Sequence, residues 1–348
     1  MLPTLEGGPP PFRIAPRHTW GAERDCLVII TFTANPSIDA TMSVDSLDAG
    51  GVLRVSQSRR EPGGKGINVS NAVLKADAST LAIVPAADTD PFTALATAAG
   101  IPLRTVTVDD PVRTNTAVTE TNGRTTKFNE PGARLTDSTL NALQETLVDA
   151  ATSTAAQAAV LAGSLPPGAP TDWYAHLVRS LREAGSDLLI AVDTSDEPLR
   201  QLGKKLEGGA PDVVKPNAFE LGQLAGLDGA ELERRADEGE LDAVVDAAKE
   251  LVSKGIREVL VTLGGAGACL VTAEGAWHAS TPPAQVSSTV GAGDSSLAGY
   301  ILARLDGADY PDALRNAVAY GTAAAAKPGT GIPSPEDIDL ARTEVREL

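Results

Sequence analysis

Aromatic residues make up only 3% of this 348-residue chain, and it holds just 2 cysteines and 3 histidines. Cys26 and Cys269 stand far apart, which excludes the disulfide framework of a small secreted domain and points to buried thiols in a reducing compartment. His18, His176 and His278 share no ligand spacing with one another or with a cysteine, so no structural zinc site is expected. Positive charge is scarce as well. With 29 Lys and Arg against 46 Asp and Glu, the net charge of −17 argues against nucleic acid and anionic membranes as partners. Any anionic ligand must therefore be held by local donors against the overall field. No apolar run approaches membrane-spanning length and no basic segment precedes an apolar one near the start, so a soluble cytoplasmic protein is expected. No Gly-x-Gly-x-x-Gly follows the first strand, which disfavours a nicotinamide-dependent oxidoreductase.

What is present is 42% hydrophobic residue and 33 glycines, a composition suited to an α/β core of small aliphatic side chains. Residues 1–24, rich in Pro and Gly and without periodicity, predict a disordered extension. A β-branched run from Leu27 to Thr33 predicts the first strand, ending in a loop that carries Asn35 and Asp39. Alternation within Gly50 to Arg60 precedes Gly63-Gly64-Lys65-Gly66, which opens a helix from Ile67 and lacks the spacing of a Walker loop. Two Thr-rich strands, Arg113 to Thr121 and Thr125 to Asn129, flank Asn122-Gly123, the signature of a type I′ hairpin. This hairpin interrupts an otherwise regular βα rhythm. With the Val52 region it predicts a small lid sheet, from about 41–62 and 111–130, over a single larger α/β domain. The acidic 228–240 segment reads as solvated surface, and a helix from Ala313 to Ala326 as the last element. Strand ends feeding Gly-rich turns predict a mostly parallel sheet covered on both faces by helices.

The stretch from Ser287 to Tyr300 organises the rest. Gly291 and Gly293 free the backbone ahead of an apolar stripe at Leu297, Tyr300 and Ile301, so a loop runs into a helix. The open N–H groups of such a first turn bind anions. Asp294 beside them would repel an anion unless it is there to accept a proton, the arrangement that phosphoryl transfer requires. Taken alone, the same residues also describe an ordinary turn with a first-turn acid.

With Asn35-Pro36-Ser37-Ile38-Asp39, Gly63-Gly64-Lys65-Gly66-Ile67-Asn68, Arg113-Thr114-Asn115, Asn129-Glu130-Pro131-Gly132, Gly163-Ser164-Leu165-Pro166-Pro167-Gly168, Lys215-Pro216-Asn217, Thr262-Leu263-Gly264 and Gly291-Ala292-Gly293-Asp294 in this order, the chain resembles the ribokinase-like (PfkB) sugar kinases from about Thr31 to Gly331. Within them it is most similar to the branch of 1-phosphofructokinases, tagatose-6-phosphate kinases and minor 6-phosphofructokinases. The resemblance implies a three-layer αβα sandwich with a small β lid, and an ATP- and Mg²⁺-dependent kinase that phosphorylates fructose 1-phosphate at C6. A tagatose-6-phosphate or fructose-6-phosphate kinase, or a non-catalytic sugar-phosphate-binding regulator, are the alternatives.

By the same resemblance Asp294 is the base, and the N–H groups of Ala292, Gly293 and Asp294, preceded by Gly291, form the anion hole. Asp39, Gly63, Gly64 and Asn68 face the sugar. Lys65, Arg113 and Lys127 form a cation cluster for the phosphate already on the substrate, and their alternative is solvated charge. Lys215, Asn217 and Glu220 line the nucleotide phosphates and the Mg²⁺ shell, with Glu220 toward the metal, although Glu220 equally fits a surface helix. Thr262, Gly264 and Gly267 border the nucleotide. Lys327-Pro328-Gly329-Thr330 departs from the Asn-Gln found in some relatives, so the adenine contacts stay open. A homodimer joined through the lid is expected.

Overall fold

The computed structural model describes residues 28–154, 156–185, 187–282 and 286–348. The expected extension over 1–24 and the Cys26 thiol lie outside them. Strand β1 (Val28–Thr33) is followed by β2 (Ser37–Val44), β3 (Gln57–Gly63) and helix α1 (Lys65–Lys75). Next come β4 (Ser79–Pro85), α2 (Pro91–Ala98) and β5 (Leu103–Val106), then the hairpin β6 (Arg113–Glu120) and β7 (Thr125–Asn129). The βα rhythm resumes with α3 (Asp137–Ser153), β8 (Ala156–Ala162), α4 (Trp173–Glu183), β9 (Leu189–Asp193), α5 (Asp196–Lys204), β10 (Val213–Val214) and α6 (Ala218–Ala225). After α7 (Gly229–Asp237) and α8 (Leu241–Ser253) the chain forms β11 (Glu258–Thr262), β12 (Ala268–Thr272), β13 (Ala276–Ser280), α9 (Ala292–Leu305), α10 (Tyr310–Ala325) and β14 (Glu344–Glu347).

The strands make two sheets. The larger, in order β14-β13-β12-β11-β10-β9-β8-β1-β4-β5, is parallel from β11 to β5 and antiparallel from β11 to β14. Its central strands are buried on both faces with period two. Ile30 and Phe32 of β1, Leu161 of β8 and Ile190 of β9 pack under α3, α4 and α8, while Ile29, Val160 and Ala191 pack under α1, α9 and α10. This is the ribokinase-like layered α/β arrangement, and each fully buried Ile or Leu contributes about 1.5–3 kcal/mol to it. The smaller sheet, β3-β2-β6-β7, is antiparallel at both ends and parallel between β2 and β6.

Several expectations are corrected. The first strand ends at Thr33 and Asn35 lies in the loop after it, but a new strand starts directly after Pro36, so Asp39 lies within β2, and β3 begins only at Gln57. The alternating stretch before it is exposed coil, with Val52 91% exposed. The hairpin turn is not type I′, because Gly123 (φ 87°) is left-handed and Asn122 is not; Gly123 N–H donates to Glu120 C=O at 2.9 Å. The acidic segment contains α7, and β14 follows the last helix.

Candidate active site

The C-terminal ends of the parallel strands converge with the first turns of α1 and α9, the place where open α/β sheets bind ligands. Helix α9 starts at Gly291, whose φ of 78° suits glycine, and no side chain caps it. The first-turn N–H groups of Gly293 and Asp294 thus lie open at the positive end of a helix of 14 residues, whereas Ala292 N–H, expected with them, donates back to Thr289 C=O at 3.4 Å. A Cβ on Gly293 would stand 3.1 Å from Lys215 Nζ, so the ammonium lies directly against this backbone.

Asp294 is buried at 7% exposure, and its Oδ2 accepts a hydrogen bond of 2.7 Å from Asn68 Nδ2 on α1. Burial pushes its carboxyl above the usual carboxylate range, with Asp193 adding to the rise against Lys65 and Lys215. The strongest link between these groups is a residue that no motif singled out. Asp193, the last residue of β9, accepts from Lys65 Nζ at 2.7 Å and pairs with Lys215 Nζ at 3.2 Å. Burial alone would raise the Asp193 carboxyl, but the two ammonium groups outweigh it and hold it below its ordinary value. In return, despite burial, Asp193 and Asp294 hold the Lys65 ammonium above its own. The one available signal was an acid ending the apolar run Leu188-Leu189-Ile190-Ala191-Val192 at a strand's C-terminal end.

Under the small sheet, Asp39 Oδ1 accepts from Ser37 Oγ at 2.8 Å and Asn115 Nδ2 at 3.4 Å, and Gly63 leaves room for its carboxyl. Burial raises the Asp39 carboxyl, and Arg113 and Lys127 oppose the rise. Arg113 donates to the C=O groups of Glu130 and Asn35 at 3.1 and 3.2 Å and has no carboxylate partner within ion-pair distance among the described residues. Burial lowers the Arg113 guanidinium. The expected cation cluster is therefore divided: Arg113 and exposed Lys127 stand beside Asp39, while Lys65 is committed to Asp193. Asn68 turns to Asp294.

On the other side of Lys215, Asn217 and Glu220 form a reciprocal capping box at the start of α6. Only Oε2 of Glu220 is used there, at 3.0 Å from Asn217 N–H. Asn217 bridges Thr262, and a turn with left-handed Gly264 and Gly267 follows. Lys327 pairs with Asp337 at 2.8 Å, so its charge is neutralised within the C-terminal loop.

A buried carboxylate at an open helix terminus, beside two lysines paired to a second buried acid, is the arrangement of a phosphoryl-transfer enzyme on a ribokinase-like fold. Residues 32–337 match the pfkB family carbohydrate kinase pattern, and the chain belongs to that family of ATP-dependent sugar kinases. It is 33% identical to a 1-phosphofructokinase of Rhodobacter capsulatus over 91% of this chain and 96% of that one. It is also 33% identical to the ATP-dependent 6-phosphofructokinase isozyme 2 of Escherichia coli (strain K12), over 89% and 96%. The structure of phosphofructokinase-2 from Escherichia coli in complex with fructose-6-phosphate superposes with a TM-score of 0.77 at 31% identity, covering 89% and 96%.

Proposed function

We propose that this kinase phosphorylates D-fructose 1-phosphate at the C6 hydroxyl, giving fructose 1,6-bisphosphate and ADP. The observation that carries the chemistry is Asp294, buried at the open first turn of α9 and within the field of Lys65 and Lys215. Asp294 takes the proton of the C6 hydroxyl as that oxygen attacks the γ-phosphoryl group of ATP in line. The N–H groups of Gly293 and Asp294 and the Lys215 ammonium receive the charge that spreads over the transferring oxygens. Asn68 orients the base, and Asp39 with Asn115 holds sugar hydroxyls. Arg113, bonded only to neutral acceptors, and Lys127 take the phosphate at C1.

Mg²⁺ fits as an ion carried chiefly by nucleotide phosphates and water: no group of three His, Cys, Asp or Glu could cage a metal among the described residues, and Glu220 keeps Oε1 outside its cap. When bound it would neutralise phosphate charge. Thr262, Gly264 and Gly267 border the nucleotide base in this reading. The small sheet acts as a lid over the sugar, pairs of protomers meet through it, and the enzyme works in the cytoplasm. No helix among the described residues is long and apolar enough to cross a membrane. The intact base and helix terminus favour an enzyme over an idle binding protein.

Phosphorus NMR of a reaction containing MgATP and fructose 1-phosphate tests the assignment. The expected product carries phosphates on C1 and C6 in step with ADP. ADP formed without a sugar bisphosphate would overturn the assignment.

A further inference from the structure

Four segments of chain connect the two sheets: 34–36, residue 64, 107–112 and 130–136. Asn35 lies in the first of them, 4% exposed, and none of the chemistry above uses its side chain. Its Nδ2 donates to Pro131 C=O in the fourth segment at 3.0 Å and reaches Ser164 Oγ, in the loop after β8, at 3.4 Å. Its own C=O accepts from Arg113 Nη2, just past the third segment, at 3.2 Å. The other arm of that guanidinium binds Glu130 C=O in the fourth. Three of the four connections are thus tied together through one amide and one guanidinium. The packing leaves no slack, since a Cβ on Gly132 (φ 98°) would fall 2.0 Å from Asn35 Oδ1. The Arg113 Nε is buried without a partner, and a buried donor left open is costly unless a ligand meets it.

We propose that Asn35 is a positioning residue for substrate selection: it locks the crossings between the sheets and thereby aims Arg113 at the phosphate that the sugar already carries. This rests on Arg113 receiving that phosphate. The nucleotide side, at Lys215, Asn217 and Thr262, belongs to the main sheet and makes no hydrogen bond with this knot among the described residues. Loss of the Asn35 amide therefore weakens sugar-phosphate binding and spares MgATP.

The test is steady-state kinetics of wild type, Asn35→Ala and Asn35→Asp, with fructose 1-phosphate and MgATP varied in turn. Asn35→Asp keeps the shape against Gly132 but removes the donor. Both variants are expected to raise KM for the sugar phosphate about tenfold, the worth of one lost hydrogen bond, and to leave KM for MgATP within about twofold of wild type. In an Arg113→Lys background Asn35→Ala should add nothing further, because the two act as one unit. If Asn35→Ala does not fold, Gly132→Ala displaces the same amide and should give the same split. A sugar-phosphate KM unchanged in these variants, both KM values rising alike, or full additivity with Arg113→Lys would overturn the proposal. A wild-type enzyme inactive on every sugar phosphate would remove the substrate reading beneath it, a result distinct from an active wild type that is indifferent to Asn35.

Discussion

At the residue scale, a carboxylate that must accept a proton near neutral pH has to be ionised where the protein least favours it. As the proposed base, Asp294 is in this position, since burial pushes its carboxyl upward even with Lys65 and Lys215 nearby. The sign follows directly. A carboxyl raised in the folded state costs stability when ionised, and that cost is relieved as pH falls through the folded value. Asp294→Asn is therefore expected to keep or raise the melting temperature at pH 7 while lowering kcat by about 10²- to 10⁴-fold, the usual worth of a general base. A variant with wild-type kcat would remove Asp294 from the chemistry. The acid limb of kcat/KM against pH should likewise lie above the ordinary Asp value of about 4. Stopped assays across pH 4–8 would show it, and an acid limb at or below that value would contradict the buried base. Asp294, Asn68 and Lys215 were legible as motif residues, because glycines and strand ends mark where backbone meets ligand. The pairing of Lys65 with Lys215 through Asp193 was not: a buried acid between two lysines takes its meaning from three separate elements.

At the element scale, the regular βα units were plain in the pattern, because strands buried on both faces are continuous apolar runs. The departures have local causes. Helix α7 buries only Gly229, Leu232 and Ala236, so its apolar face is too narrow to show. It is held instead by Asp228, whose Oδ1 accepts from Ala230 and Glu231 N–H, and by Arg234 between Glu231 and Glu238. Strand β2 hid behind Pro36, and β14 is a polar edge strand whose register comes only from β13. For α9 the starting geometry is what the proposed function uses. Gly291→Ala would place a side chain in the left-handed region at about 1 kcal/mol and tilt the first-turn N–H groups away from the phosphoryl. A fall in kcat larger than the change in melting temperature accounts for is expected, and an unchanged kcat would show that the helix terminus is not the anion site.

At the scale of the whole molecule, the two ends of the main sheet's strands have different tasks. The proposed catalytic groups gather at the C-terminal ends of the parallel strands. At the opposite, N-terminal end of those strands, Glu258 begins β11 and is buried against Tyr300 Oη at 2.7 Å and Arg304 Nη2 at 3.0 Å. Tyr300 and Arg304 sit on α9, the helix whose first turn holds Asp294, and the Arg304 guanidinium lies 4.4 Å over the Tyr310 ring. Arg304→Ala leaves a buried carboxylate without its cation and should destabilise the fold by about 3 kcal/mol, while kcat/KM stays within about threefold of wild type. Thermal melts beside initial rates would separate the two effects, and an unchanged melting temperature would contradict the anchor. The most direct test of the central claim is kcat/KM with MgATP for fructose 1-phosphate, fructose 6-phosphate and tagatose 6-phosphate, in wild type and Asp294→Asn. A clear preference for fructose 1-phosphate in the wild type, with turnover lost in the variant, is expected. Preference for a 6-phosphate, or turnover that survives Asp294→Asn, would contradict it.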